Sequence, residues 1–462
     1  MKDKNGNVIP SKTSGTIEVG LVCLPSVSPE ILASHAAKYC YGAETPMLGD
    51  MIDIKERLFK VGHHTTMEHS SFTFGIEGVS VGDVTFGLHL THPFYNTDQR
   101  SGRFCAAMYS NPDKKRLMEY INAHWPGLSR SQMNKIGYYI DKAIARYRYY
   151  IDSATDLVAK VSQKERPNAP DSFKNNFPKI AQEQMRMFIP IIMPTGLDYT
   201  IDLITLVTMW ECSWSPVLRN VTDMMRDLVL EKFPEISFAF VEERRKKQDW
   251  VPFIPGFYAG TEYHPSCGLK NLYVPRIKKP GKDDMHPVDR LHFLPCLMDN
   301  NASNISMEIS ISCATMGQDQ RHRTVRRTEP SFNGFVYSPP LLKQLGADVE
   351  LEVLMVAWLK LSKELPKTLA AVLAPYGAMV TYEKSGTINA IAHEQAKRLC
   401  LCAQEEIYQL SCGARKHLAG NEEVLSFFEP PCMQTGKCGE GARYCGRNLA
   451  NLGTEPFPVR TI

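Results

Sequence analysis

The sequence predicts an α+β fold built from two similar halves, and three features carry that prediction. Short segments with strict alternation, Ile17, Val19 and Leu21 and later Phe72, Phe74 and Ile76, have the two-residue period of half-buried strands. Longer stretches, above all the Tyr-rich run from Met133 to Val161, have helical spacing. The order of these elements then recurs in the second half with few identical residues, as a tandem duplication would leave it.

Taken in order, residues 1–15 are polar and are expected to be flexible, and a first domain is placed at 16–240. It opens with a strand from Thr16 to Leu24. Ser28-Pro29-Glu30 then has the residues of a helix start, a hydroxyl acceptor followed by a proline in the first turn. Met51 to Val61 has the spacing of another helix. The stretch GHHTTMEHSSFTFGIEGVS, 62–80, leads from a His-rich turn into the Phe72 strand, and the apolar run Val84 to Leu90 leads to a Gly-bearing loop at 95–104. Helices are expected at Met133–Val161, Pro178–Ile189 and Ile201–Leu230. The segment 241–287 is dense in Pro, Lys and aromatic residues without a sustained period, and reads as a connector. A second domain is placed at 288–425. There 300–317 takes the place of the Phe72 strand, and Leu341–Leu373 and Thr387–Leu418 are mostly helical. A Cys- and Gly-rich tail, 426–462, follows.

The composition, 43% hydrophobic and 22% charged, is that of a globular protein with a sizeable core. A formal net charge of +3 gives no broad basic surface for nucleic acid, but leaves room for local anion pockets. There is no apolar run of about 18 residues to cross a membrane and no signal-peptide pattern at the N-terminus. With 13 cysteines, an odd number, the expectation is reduced thiols and a cytoplasmic protein.

The chemistry concentrates at residues 318–331, Gln-Asp-Gln-Arg-His-Arg-Thr-Val-Arg-Arg-Thr-Glu-Pro-Ser. Five of the seven side chains from Arg321 to Arg327 are Arg or His. Such runs are commonly solvated faces. Set inside a folded domain, however, guanidinium forks match the oxygens of nucleotide phosphates. The string Arg-His-Arg, seven residues, Ser resembles the signature of the flavin-dependent thymidylate synthases. Further similarity lies at His63-His64-Thr65-Thr66-Met67-Glu68-His69, at Ser71-Phe72-Thr73-Phe74, at Ser101-Gly102-Arg103-Phe104, at Arg186 four residues before Pro190, and at Arg398 to Ile407. The halves have lost complementary parts. Thr91-His92-Pro93 stands where the first half should have Arg-His-Arg, and Gln99 stands for Glu329. In the second half Asn333 and Ala371 replace expected arginines.

The resemblance implies two tandem domains, each with a small, mostly antiparallel sheet and long helices. It implies reductive methylation of dUMP to dTMP with methylenetetrahydrofolate, FAD and NADPH. By the same resemblance Arg398 stabilises the charge that develops on the uracil ring. Gln318, Arg321, Glu329, Ser331, Ser101, Gly102, Arg103 and Arg186 bind the nucleotide, and Arg321, His322, Arg323, His63, Thr65 and Glu68 hold the flavin. The family builds each site between subunits, so a homodimer acting as a pseudo-tetramer is expected, with composite sites drawn from both halves. A non-catalytic flavin- or nucleotide-binding homologue, or an enzyme for another pyrimidine nucleotide, is the alternative. No metal is assigned. Cys432, Cys438 and Cys445 could hold zinc with a fourth ligand such as Cys412, but lack the usual spacing of two to four residues.

Overall fold

The computed structural model describes residues 1–2, 4–90, 95–103, 105, 107–245, 250–256, 264–274, 277, 298–447 and 456–462. The Thr91-His92-Pro93 triplet, Phe104 and, within the 241–287 connector, residues 246–249, 257–263, 275–276 and 278–287 lie outside the described residues.

Two antiparallel sheets organise the chain, each with helices packed on it. The first contains β1 (Ser11–Ser14), β2 (Ile17–Cys23), β3 (Ser71–Ser80), β4 (Tyr95–Gln99) and β5 (Pro194–Asp202), in the order β1-β2-β3-β5-β4. The second contains β6 (Ser266–Tyr273), β7 (Asn304–Ser312), β8 (Arg326–Arg327), β9 (Ser331–Val336) and β10 (Ala378–Thr387). Its order is β6-β7-β10-β8, with β9 also paired to β10. The alternation that predicted β3 is used as expected: Phe72, Phe74 and Ile76 are fully buried on one face.

Both sheets continue into their helices in the same way. Ser80 at the end of β3 caps the short helix Val81–Asp83, and Ser312 at the end of β7 caps the helix Cys313–Asp319. Asp202 at the end of β5 caps Leu203–Cys212, and Thr387 at the end of β10 caps Ile388–Arg398. Each cap accepts a backbone N–H that the first helical turn cannot satisfy internally. The long helix spans Arg130–Glu165, opened by a Ser129–Gln132 capping box. The predicted run Ile201–Leu230 is two helices, because Ser215-Pro216 starts a new one, Pro216–Leu230.

Several expectations need correction. Residues 11–14, assigned to a flexible N-terminus, form β1 on β2. Met51–Val61 holds only one wide helical turn, Lys55–Phe59. The loop at 95–104 begins with β4, which pairs with β5 from Tyr95↔Ile201 to Gln99↔Leu197. The connector contributes β6, paired with β7 from Ser266↔Ser310 to Tyr273↔Asn304. Short polar strands at a sheet edge carry too weak an alternation to be read from sequence, since tertiary pairing decides them. No described helix is long and apolar enough to cross a membrane.

The sheets join where the chain enters β5 and β10. Pro190 and Pro375 form an isolated antiparallel bridge, flanked by Ile191 N–H to Ala374 O at 2.9 Å and Tyr376 N–H to Ile189 O at 2.8 Å. This seam is buried on both sides, with Ile189, Ile191, Ala374 and Tyr376 at most 3% exposed. It fixes one half against the other.

Candidate functional site

An arginine-lined cleft of about 200 Å³ opens beside that seam. From the first half it takes Gln99, Arg100, Ser101, Gly102, Arg103 and Arg186. From the second it takes Gln318, Arg321, Tyr376 and Arg398, and the tail adds Arg443. Residues as far apart in the sequence as Gln99 and Arg443 thus meet within one chain.

Each side chain is placed by a local cause. Arg186 ends the helical stretch before the seam and is 5% exposed. Its guanidinium lies over the Tyr376 ring at 5.2 Å and donates to Ala314 O at 3.3 Å, leaving Nε without a partner. Gly102 has no alternative. A Cβ there would meet Tyr109 Oη at 2.1 Å and Arg186 Nη1 at 2.9 Å, so the backbone can lie against the guanidinium only as glycine. Gln182 Nε2 fixes that loop by donating to Gly102 O at 2.6 Å, and Ser101 Oγ accepts the Arg103 N–H at 3.2 Å. Arg103 pairs with Glu183 at 2.9 Å and reaches Cys402 O at 3.3 Å.

On the opposite wall, Arg398 donates from Nη2 to Gln318 O at 2.5 Å, and its Nε is buried without a partner. Gln318 donates to Gln404 Oε1, and its own Oε1 is free of partners. Burial brings the Arg398 pKa down to about 10, with Arg103 and Arg321 adding repulsion. Burial and the same crowding of cations lower Arg321. Six guanidiniums line this cleft and no carboxylate does. Glu77, Glu183 and Glu440 pair with Arg100, Arg103 and Arg443 from outside it. Among the described residues Arg186, Arg321 and Arg398 have no ion pair. Cations held together without counter-charge, with short donors around them, make a site for a multiply charged anion.

Other predicted residues lie elsewhere. Ser331 sits in β9 opposite Thr381, and Glu329 is exposed; neither lines the cleft. Arg323 crosses to the first sheet, donating to Asn96 Oδ1 at 2.7 Å and Thr97 O at 2.5 Å. It therefore fastens β4 to the signature loop. The His322 ring faces His393 at 5.7 Å. His63, Thr65 and Glu68 are exposed before β3, at the end opposite the cleft, which lies past Ser80 at Val81. A ten-residue strand separates them, roughly 30 Å at the rise of a β-strand. His63 lines a separate groove of about 700 Å³ with Lys38, Tyr41 and Arg57.

A buried aromatic cluster also packs between the two halves. Phe86 packs on Phe332 at 5.6 Å and Phe332 on Trp358 at 5.0 Å, and all three are buried with Ala371 and Val372. Ala371 is the residue that replaces an arginine in the sequence pattern. Sequence reading missed Arg100, Tyr376 and Arg443 at the cleft, and Tyr109 and Gln404 behind it against Gly102 and Gln318. Arg443 had a visible signal, as a cation in the Gly-rich tail.

Two histidines near the site are held neutral. Both ring nitrogens of His89 are buried, and burial followed by the Arg323 charge lowers its pKa to about 3. Burial followed by Arg398 lowers His322 to about 2. In the unfolded chain both take up a proton near pH 6.5, so below that pH the unfolded state binds more protons and stability rises with pH. The contribution is complete above about pH 6.5 and is lost progressively toward about pH 3. Denaturant melts across this range should show a shallower acid limb in His89→Phe, which keeps the stacking on Tyr95 at 5.4 Å but cannot be protonated. An unchanged limb would show that His89 carries none of it.

Residues 24–235 match the family described as "Thymidylate synthase complementing protein". A similar curated protein is the flavin-dependent thymidylate synthase of Geobacter sulfurreducens, 36% identical over 59 residues. That match covers 11% of this chain and 25% of the relative, so the alignment spans about a quarter of the relative's length.

Proposed function

We propose that this chain, a relative of the thymidylate synthase complementing family through residues 24–235, is a flavin-dependent thymidylate synthase formed by tandem duplication. It converts dUMP to dTMP with methylenetetrahydrofolate, FAD and NADPH. The observation that carries the reading is the cleft itself. The nucleotide-binding residues expected from one half, Ser101, Gly102, Arg103 and Arg186, face those expected from the other, Gln318, Arg321 and Arg398.

The 5′-phosphate is held by Arg186 and Arg103 with the Ser101–Gly102 backbone, and Arg321 adds a further charge. Arg398 lies across the cleft, where a guanidinium stabilises the negative charge that develops at N3 and O2 of the uracil ring. Gln318, with an unpartnered Oε1, accepts a hydrogen bond from the nucleotide. No cysteine lines the cleft except Cys313, whose thiol burial pushes well above its ordinary range, so methylation proceeds without a protein thiolate nucleophile.

The flavin's expected residues fit only across two copies of the chain. The groove beside His63 has the volume for a nucleotide moiety, with Lys38 and Arg57 on its walls and Thr65 and Glu68 next to it. Arg321 and His322 stand at the other end of β3. A homodimer that sets the groove of one chain against the signature loop of its partner unites them. FAD, when bound, supplies the redox chemistry. His322, neutral at physiological pH, and Arg321 orient it against the cleft. Each chain keeps one nucleotide site, the arginine-lined cleft.

Purified protein should show flavin absorbance that NADPH bleaches, and should release the C5 hydrogen of dUMP to solvent. Titration should give one dUMP per chain. A colourless protein, or a flavoprotein that leaves the C5 hydrogen in place, would overturn the assignment. Two nucleotides per chain would contradict the single site.

A further inference from the structure

Four cysteines that this chemistry does not use meet at one place in the fold. Cys400 follows Arg398 by two residues, while Cys432, Cys438 and Cys445 come from the tail. All four are free thiols and line one small cavity of about 10 Å³ together with a fifth, Cys402, whose thiol donates to Arg443 O at 2.8 Å. That is about the space one water or one ion requires, and too little for an organic ligand. The sequence left the partner of the three tail cysteines open, with Cys412 as one choice. Cys412 does not line the cavity, whereas Cys400 does.

The sulfurs are also approached by backbone donors in a repeated way. Cys402 N–H donates to Cys400 Sγ at 3.4 Å, and Glu440 N–H to Cys438 Sγ at 3.5 Å. The Arg447 N–H does the same for Cys445. In each case the donor lies two residues after the cysteine. Amide donors aimed at sulfur do little for a neutral thiol but stabilise a thiolate that serves as a metal ligand. The stretch that carries the tail cysteines has little apolar core of its own. The helix Pro431–Thr435 has five residues and buries none of them, and Gly436 and Gly446 turn the chain with φ of 71° and 77°. A segment with so little apolar core needs a cross-link.

We propose that Cys400, Cys432, Cys438 and Cys445 bind one thiophilic divalent cation of the zinc class, in a closed four-sulfur structural site. Among the described residues no three His, Cys, Asp or Glu side chains already converge as a ligand set, so binding draws the sulfurs inward by side-chain rotation into the cavity between them. The thiols release their protons to solvent as the metal–sulfur bonds form, with no change of oxidation state. Four sulfur ligands leave no open position, which makes the role structural. The site would pin the tail to the chain just after Arg398. Arg443, on the cleft, lies between two of its ligands, and the Cys402 thiol donates to Arg443 O at 2.8 Å.

The test is metal analysis of the full chain, followed by exchange with Co²⁺. One metal per chain is expected, with tetrahedral ligand-field bands and thiolate-to-cobalt charge transfer. Cys432→Ser with Cys438→Ser should abolish both, and Cys412→Ser should change neither. Cys438→His, which keeps a donor, should retain cobalt with weaker charge transfer. A chain that holds no metal and takes up no cobalt would overturn the proposal, as would a disulfide among these four thiols. Retention of the metal by the double serine variant would overturn it too.

Discussion

Replacing Arg186 with alanine is expected to weaken dUMP binding by at least about 100-fold, a loss of about 3 kcal/mol, while the apo protein stays folded. The guanidinium is buried, stacks on Tyr376 and meets no carboxylate among the described residues within ion-pair distance. Its Nε is left without a partner. Burial disfavours this charge, but Tyr109, Tyr376 and Glu183 more than offset it, so removing the guanidinium should lower thermal stability only modestly. What should disappear is the stabilisation by ligand, which for wild type is about 2.7 kcal/mol at a hundredfold excess over Kd. Deoxyuridine, which lacks the phosphate, should bind wild type and variant alike. Arg186→Lys should recover only part of the affinity, since an ammonium lacks the planar fork. Titration calorimetry with nucleotide and nucleoside separates these outcomes, and dUMP affinity within about threefold of wild type would remove Arg186 from the site.

The second large effect concerns stability. Asp319→Asn is expected to cost about 3–5 kcal/mol. Asp319 is fully buried and accepts from Arg327 Nε at 2.5 Å, Lys384 Nζ at 2.8 Å and Tyr382 Oη at 2.8 Å. Glu394 accepts from the same lysine at 2.7 Å, so two carboxylates balance two cations in the interior. Burial alone would raise the Asp319 pKa, but Arg327 and Lys384 hold it well below the carboxylate range. Removing its charge strands a buried cation. A double variant, Asp319→Asn with Lys384→Met, should recover much of the loss because it removes both members of one pair. Urea unfolding of wild type and the two variants measures this, and a single-variant loss below about 1 kcal/mol would show the network contributes little. The network also matters to the cleft. Asp319 lies two residues before Arg321, and Arg327 returns to it from the far end of the signature loop, donating also to His322 O at 3.1 Å. The loop is therefore shaped by ion pairs among its own residues and their neighbours. Arg327, which composition alone would class with the solvated arginines, is a core residue.

Strong periodic signals survived the passage from sequence to structure, and weak ones did not. Phe72-Phe74-Ile76 and the Ser28 cap are local instructions, readable because one residue and its near neighbours settle the conformation. β1, β4 and β6 could not be read that way. Their residues, such as Tyr95-Asn96-Thr97-Asp98-Gln99, become strands only because a partner strand satisfies their backbone. The same division runs through the site. Ser101, Arg103, Arg186, Arg321 and Arg398 were legible as types at characteristic spacing. That Ser331 and Glu329 stand apart from them was not, because spacing along the chain does not record which residues face a cleft formed with the other half.

The sequence by itself determined the α+β class, the repeated order of elements, the family resemblance and the residue types that favour an anion. It did so because periodicity, caps and motif spacing act over short separations. Only the tertiary structure decided that arginines from both halves line one cleft beside the Pro190–Pro375 bridge, and that Phe86, Phe332 and Trp358 pack into one buried cluster. Tertiary packing also assigned Arg323 to holding the two halves together, and set Cys400 beside the tail cysteines. These outcomes depend on contacts between residues hundreds of positions apart. Such contacts are set by how two packed sheets bury their seam, and no local pattern in the chain records that.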